Sequence, residues 1–156
     1  GLAMQRYGSP RLTGDVDVIA RTRLGLDGKL LPLGGLTTTI RVSDAVTPNI
    51  DTDVIVPDEA DAAGNEDAGI YREALATAQT EVSSGFRYAR PEYLLAMKMS
   101  AMRGKDDADV KWLLAYEKID MKRAERIVRE HLGRHAVKLL KDTRAEALWL
   151  KSRGKL

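Results

Sequence analysis

Short runs of alternating polar and apolar residues dominate the first half of the chain. Residues 14–20, the β-branched run near residues 36–42 and the segment IDTDVIVP, which Pro57 ends, each have the length and composition of a strand. The segment FRYA predicts a short closing strand. Helical spacing is confined to GLAMQR and to IYREALATAQTEV, and the acidic, glycine-bearing DEADAAGNEDAG between strand and helix predicts a mobile loop over residues 58–69. The pattern therefore predicts a small mixed sheet with few helices over residues 1–90.

From residue 91 onward the apolar positions follow a helical period. A proline suits the first position of a helix, and an acidic residue in the first turn complements the helix dipole. Asp, followed by apolar residues three and four apart, marks further helix starts. We expect four helices: one from Pro91 to Gly104, one capped by Asp106 or Asp107, one from Asp120 to Gly133, and one over residues 142–152.

The composition excludes disulfides and thiolate metal sites, and the lengths of the apolar runs argue against a membrane span. The chain of 156 residues has no cysteine, so disulfides and thiolate metal sites are excluded, which is compatible with a cytoplasmic protein. No apolar run approaches the roughly 18 residues that span a bilayer, because Lys98 interrupts the best candidate, YLLAMKMSAM. We therefore expect no membrane association and no secretory signal peptide.

Charge is distributed unevenly along the chain. Residues 1–60 carry a net charge of −2 and residues 61–110 one of −3, whereas residues 111–156 hold 13 basic and 6 acidic residues, a net charge of +7. An acidic front and a basic tail suit a protein that binds a metal ion with one part and a polyanion with the other. A solvated helical surface rich in Lys and Arg explains the same tail, and charge alone leaves both open.

Two carboxylates lie on one face of the strand at residues 14–20. Because side chains alternate along a strand, Asp15 and Asp17 share a face, where they need a cation, a basic partner or open water. Magnesium prefers such hard oxygen ligands and keeps room for water and phosphate. A third acid on a neighbouring strand would complete a two-metal site. Asp53 offers that acid, with Asp51 as the alternative.

Lys98 is the second informative residue. Positions four apart place it between Leu94 and Met102 on an apolar helical face, where a lysine either extends its amine to the edge or reaches a buried anion. We expect Asp106 to cap the next helix and Arg103 to pair with Asp109 at the helix–helix corner.

Two stretches of the chain resemble the nucleotidyltransferases of the DNA polymerase β superfamily, most closely the abortive-infection E-type toxin branch. GLAMQRYGSPRLTGDVDVIA resembles a signature of a glycine turn, a helix and then G-x-x-R-x-T-x-D-h-D-h, where h is apolar. ARPEYLLAMKMSAMRGKDDADVKWLL resembles the second signature, a Pro-Glu start, a helical lysine, an arginine and K-D-x-x-D. The resemblance covers about residues 1–115 and is carried by Gly1, Gly8, Arg11, Thr13, Asp15, Asp17, Pro91, Glu92, Lys98, Arg103, Lys105, Asp106 and Asp109.

This resemblance implies a fold and a set of residue roles. The fold is α+β, a small mixed β-sheet of the polymerase β-like nucleotidyltransferase type with flanking helices, followed by a C-terminal helical bundle. The implied domains are a nucleotidyltransferase-like core over residues 1–90 and a helical part over residues 91–156 that packs on it. In the implied metal site, Asp15 and Asp17 are paired Mg²⁺ ligands, and Asp53 is the third ligand and candidate general base. Lys98 is implied to contact the NTP phosphates, and Gly1 to let the backbone come close to these phosphates. Arg11 and Thr13 are implied to position phosphate or to brace the strand.

The resemblance also implies an activity, namely magnesium-dependent transfer of a nucleoside monophosphate from an NTP to a hydroxyl of an RNA such as tRNA, or of a protein. In the toxin branch this enzyme is the cytoplasmic toxin of a toxin–antitoxin or phage-defence pair with a cognate antitoxin. Relatives carry an apolar strand and a first glycine ahead of the position of Gly1, so we expect weaker phosphate binding in a chain without them. Two alternatives stay open: a catalytically inactive nucleotide-binding or interaction module of the same fold, and a helical nucleic-acid-binding protein that uses residues 111–156.

Overall fold

The computed structural model describes residues 2–10, 15–21, 29–32, 38–42, 50–82 and 87–156. Over these residues the chain is a mixed α+β protein in which helices predominate, and the predicted fold class is confirmed at this level. The chain divides into two compact units, Gly1–Leu75 and Ala76–Leu156. The domain boundary that the sequence places near residue 90 stays a prediction.

The first unit contains most of the strands. It begins with a short helix, α1, and continues with four strands and two helices. Their bounds are α1 Leu2–Arg6, β1 Asp15–Ile19, β2 Lys29–Pro32, β3 Thr38–Val42, β4 Ile50–Ile55, α2 Pro57–Ala62 and α3 Ala68–Thr77. The predictions for β1, β3 and β4 are confirmed, whereas β2 lies in a segment between the first two predicted strands for which no strand is predicted.

The four strands form one mixed sheet in the order β1-β4-β3-β2. β1 and β4 are parallel, whereas β4 pairs antiparallel with β3, and β3 antiparallel with β2. Val54 on β4 is 1% exposed, Val56 just beyond it is buried, and Ala20 packs against both. One face of β4 is therefore an apolar packing face.

The predicted loop over residues 58–69 is wrong in its first part, because α2 begins directly after β4. Pro57 occupies the first turn, where its missing N–H is no loss, and Asp58 and Glu59 complement the helix dipole there. Arg72 on α3 bridges back to α2, at 3.1 Å from Asp58 and 3.0 Å from Asp61. The acidic residues that suggest a loop by composition thus form the start and the outer face of a helix.

The second unit is helical apart from a short hairpin. Its elements are β5 Gln79–Thr80, β6 Arg87–Tyr88, α4 Pro91–Ala101, α5 Gly104–Tyr116 and α6 Met121–Ser152. The three helices pack against one another. α4 is buried on nearly all sides, and the fully buried Leu95 shares the interior with Leu113, Ile127 and Leu140. No helix in the described part of the chain combines the length and apolar character that crossing a membrane requires.

α6 consists of two arms that meet at Gly133. This residue has φ 84° and ψ 176°, a non-helical conformation that only glycine adopts readily. Glu125 on the first arm and Lys141 on the second form an ion pair of 3.1 Å, and they lie equally far from Gly133 along the chain. The two arms therefore fold back beside each other, and the second arm begins directly after Gly133 rather than near residue 142.

The helix starts are partly as predicted. Pro91 begins α4, and Asp120 caps α6 by accepting a hydrogen bond of 3.1 Å from the backbone N–H of Arg123. Gly104 does not end α4 but is the first residue of α5. The N-cap of α5 is Arg103, and Asp106 lies three residues later, where its carboxylate accepts from the Arg103 backbone N–H at 3.3 Å. The prediction of Asp106 as the cap residue is therefore wrong by three positions.

Candidate functional site

The parallel pairing of β1 with β4 brings two acidic segments into register. Asp15 pairs with Asp51, and Asp17 pairs with Asp53. Residues in register on neighbouring strands lie on the same face of a sheet, and residues two apart on one strand do so as well. These four positions, which we call the acidic face, therefore share one side of the sheet. Asp53 lies on the same side as Asp15 and Asp17, as the metal-site hypothesis requires.

The acidic face is opposite to the apolar packing face. Val54 on β4 and Val56 just beyond it are buried, so by alternation positions 51 and 53 belong to the other face of the strand. Asp17 is exposed to solvent. An aspartate beside its register partner on this side of the sheet is accessible to water, to an ion or to a substrate.

Electrostatics make this arrangement costly without a neutralising group. Neighbouring strands lie about 4.8 Å apart, and positions two apart on a strand are separated by about 6.6 Å. Two carboxylates about 5 Å apart repel each other by about 3 kcal/mol at an effective dielectric constant of about 20. Four such positions need a cation, a basic neighbour or open water.

The third strand distinguishes Asp51 from Asp53. β3 pairs with β4 so that Arg41 is opposite Asp51 and Thr39 is opposite Asp53. Directly opposite residues of an antiparallel pair share a face, and opposite charges there stabilise each other. Position 51 thus has a basic cross-strand neighbour, whereas position 53 lies between Asp17 and a neutral threonine. Sequence reasoning missed Arg41, because only the register shows that it is opposite Asp51.

Several predicted site residues are described only in part. Gly1, Arg11 and Thr13 lie outside the described residues. For Asp15 and Asp53 the structure describes the backbone and its pairing. Among the residues whose side chains are described, no three acidic or histidine side chains come together as a metal site.

Lys98 lies in the second unit, in a buried ion-pair cluster that joins α4 to α5. Its Nζ lies 2.8 Å from Asp106 Oδ1 and 2.9 Å from Asp109 Oδ2. Lys98 is 8% exposed, Asp106 0% and Asp109 2%. The sequence leaves open whether this lysine extends its amine to the edge of the helix face or reaches a buried anion, and in the structure it reaches two buried carboxylates. Its predicted contact with NTP phosphates stays a prediction, and two carboxylates already accept hydrogen bonds from the ammonium group.

Arg103 closes the cluster from the solvent side. Its Nε donates to Asp106 Oδ2 at 2.6 Å, and its side chain is 61% exposed. Burial by itself raises the pKa of Asp106, but the hydrogen bonds from Arg103 and Lys98 outweigh burial and lower that pKa to about 2. Arg103 therefore binds Asp106, and its expected pairing with Asp109 stays a prediction. We infer that two cations and two carboxylates fix the α4–α5 corner as a charge-balanced cluster.

Comparisons with family models, with curated proteins and with solved structures find no match for this chain. A proposal for its function therefore depends on the geometry of the acidic face and on the residue patterns of the sequence.

Proposed function

We propose that this protein is a magnesium-dependent nucleotidyltransferase of the DNA polymerase β type, which transfers a nucleoside monophosphate from an NTP to a hydroxyl group of an RNA or a protein. One observation carries the proposal: β1 and β4 are parallel, and Asp17 is in register with Asp53 while Asp15 is in register with Asp51. A D-x-D pair and a third acid on the neighbouring strand are the residues that this chemistry uses.

The residue types of the acidic face fit magnesium. Carboxylate oxygens are hard ligands, and Mg²⁺ takes a few of them while its remaining positions bind water and phosphate. When bound, the metal ions would lower the pKa of an attacking hydroxyl and neutralise charge on the departing pyrophosphate. Asp15 and Asp17 would hold the ions, and their fixed positions on one strand would orient the nucleotide.

Asp53 is the better third acid on physical grounds. Arg41 is in register with Asp51, and a basic cross-strand neighbour lowers the affinity of a carboxylate for a cation. Asp53 has Thr39 opposite it and Asp17 beside it. A carboxylate whose neighbour is another carboxylate gains most from a divalent ion between them. Asp53 would therefore bind the metal and accept the proton of the acceptor hydroxyl.

The direct test is transfer of label from each of the four NTPs in turn, with Mg²⁺ and either total tRNA or a cell extract. Label at the α-phosphate should appear on the acceptor and label at the γ-phosphate should not, because the nucleoside monophosphate is the group transferred. Asp17→Asn and Asp53→Asn should each lower the rate by about 100-fold or more, since each removes a metal ligand. Asp51→Asn should lower it much less.

Glu66→Gln is the matched control, because it removes one negative charge from an exposed residue of the same unit. Far-UV circular dichroism confirms that each variant folds. Equal activity of Asp17→Asn and wild type would contradict the proposal. Magnesium-dependent NTP binding without any labelled product would instead favour the catalytically inactive module.

The proposal includes a biological role as the toxin of a toxin–antitoxin or phage-defence pair. An enzyme that modifies tRNA or an essential protein should arrest growth when it is expressed without its antitoxin. Expression of the wild type should therefore stop growth of a bacterial host, and expression of Asp17→Asn should not. Growth arrest by both proteins would show that toxicity does not depend on the acidic face.

A further inference from the structure

Lysines pair with five acidic residues of the second unit, two of which are the buried partners of Lys98. Lys111 binds both Asp107, at 3.0 Å, and Glu146, at 2.8 Å, and these hydrogen bonds raise the pKa of Lys111. Lys141 binds Glu125 at 3.1 Å. Most of the lysines and arginines of this unit that have no acidic partner among the ion pairs described lie on α6.

Three of these cations form a row on the first arm of α6, which we call the basic stripe: Lys122, Arg126 and Arg129. They occupy the helix face opposite the buried Ala124 and Ile127, and all three are exposed. None of them makes an ion pair or a hydrogen bond with another described residue. With a rise of 1.5 Å per residue, successive charges of the stripe are separated by about 6 Å and about 4.5 Å along the helix.

Two further exposed cations follow the bend at Gly133. Arg134 and Lys138, at the start of the second arm, are exposed and likewise make no ion pair within the described part of the chain. Neighbouring like charges on a helix destabilise it slightly, so a row of this kind gains from a polyanion that neutralises it.

We infer that the basic stripe binds the phosphate backbone of an RNA and that the acceptor of this enzyme is therefore RNA rather than protein. This inference rests on the proposed function, which leaves the acceptor class open. A phosphate backbone repeats one negative charge at regular intervals, and contacts to it by Lys and Arg supply most of the sequence-independent affinity.

The composition of the exposed face separates RNA from an acidic protein partner. Protein interfaces have an apolar core that supplies most of the binding energy, within a polar rim. The exposed residues of the first arm are Lys122, Arg126, Arg129, Glu130 and Gly133, so the face that carries the basic stripe has no exposed apolar side chain to form such a core. Binding through cations alone suits a nucleic acid.

The test measures the affinity of the full chain for fluorescein-labelled bulk tRNA by anisotropy, between about 0.05 and 0.3 M salt. The variant is Lys122→Gln, Arg126→Gln and Arg129→Gln combined, because glutamine has a similar helix propensity and no charge. The logarithm of the affinity falls with the logarithm of the salt concentration, and each phosphate contact contributes about 0.7 to 0.9 to the steepness of that fall. Loss of three contacts should therefore make the salt dependence shallower by about two units or more. At about 0.15 M salt the dissociation constant should rise by about 50-fold or more.

The matched control is Arg21→Gln, Arg144→Gln and Lys155→Gln combined, which removes the same net charge from exposed positions outside the stripe. It should change the dissociation constant by less than about threefold. Equal losses in the two triple variants would overturn the inference, since net charge alone would then explain binding. Thermal unfolding of all three proteins excludes misfolding as the cause.

Failure of this inference is distinguishable from failure of the proposed function. If α-phosphate label is transferred to protein and not to RNA, the proposed nucleotidyltransferase activity is supported and the inference that the acceptor is RNA is overturned. If tRNA binding depends on the basic stripe but no nucleotide is transferred, the binding surface stands and the proposed chemistry fails. If wild-type protein does not bind tRNA at about 0.15 M salt, the inference is also overturned.

Discussion

Replacing Lys98 by methionine tests how strongly the buried cluster stabilises the second unit. Methionine is unbranched and helix-forming, and it fills much of the same space, but it carries no charge. The substitution leaves Asp106 and Asp109 buried, and Asp106 keeps its ion pair with the exposed Arg103. The loss of stability should therefore come from uncompensated charge rather than from a cavity.

The magnitude follows from the two Nζ–Oδ distances. The two ion pairs have Nζ–Oδ distances of 2.8 and 2.9 Å, and at an effective dielectric constant of about 20 each pair of unit charges attracts by about 6 kcal/mol. Desolvation of the three groups offsets much of this attraction in the native protein. Removing one partner of a buried pair costs about 3–5 kcal/mol, because the other charge is left unpaired in the interior. We expect Lys98→Met to lower the free energy of unfolding by about 4 kcal/mol.

Lys111→Met is the matched control. Lys111 also binds two carboxylates at 3.0 and 2.8 Å, but the side chains of its partners, Asp107 and Glu146, are 62% and 52% exposed. Water can solvate those carboxylates when the lysine is removed, so the expected loss is about 1 kcal/mol or less. Urea unfolding followed by far-UV circular dichroism measures both values.

A triple variant that combines Lys98→Met with Asp106→Asn and Asp109→Asn separates charge from packing. It removes the unpaired carboxylates and should recover part of the stability that Lys98→Met loses. Equal losses in Lys98→Met and Lys111→Met, both near 1 kcal/mol, would refute the argument that burial makes the first cluster costly to break.

Two further predictions follow from the same unit. The pKa of Asp106 is lowered to about 2 in the folded protein, so its contribution to stability is present above about pH 4 and is lost as pH falls towards 2. Urea unfolding of the wild type should therefore show a loss of about 2 kcal/mol over this interval, and Asp106→Asn should not show it. The same pH dependence in wild type and Asp106→Asn would contradict this prediction. Gly133→Ala should lower the free energy of unfolding by about 1–3 kcal/mol, because φ is 84° although the surrounding space is open. Gly104→Ala, at the start of α5 and equally uncrowded, should cost nothing, and equal effects of the two alanines would exclude backbone strain at Gly133.

The strands that the sequence predicts correctly are those with a strong periodic signal. β1 and β4 alternate acidic with mainly apolar residues, which is the pattern of a strand with two different faces, and this alternation is readable without a structure. Register is different in kind. The pairing of Asp17 with Asp53 and of Arg41 with Asp51 joins residues far apart in the chain, and no local pattern specifies it.

The wrong predictions of helix boundaries concern residue types that occur both in loops and at helix starts. The segment after β4 is acidic and rich in small residues, which favours a loop, but Pro57 and the two acids after it are also the residues that start a helix. Gly104 likewise predicts a helix end, but a glycine ends helices where φ is positive. Here the positive φ belongs to Met102, at 48°, so α4 ends at Ala101, three residues before Gly104.

Two acidic signatures that look alike in the sequence differ in what neutralises them. Asp106 and Asp109 are three apart on a helix, so both point to one side, and Lys98 binds both of them within the protein. Asp15 and Asp17 are two apart on a strand, and their register neighbours on β4 are two further aspartates. Counting charges along the chain treats the pairs as equal, whereas pairing shows that the helical acids are already compensated by this chain's own cations. The helix corner is therefore already charge-balanced, and the proposed chemistry is assigned to the acidic face because the register brings four acidic positions to one side of the sheet there.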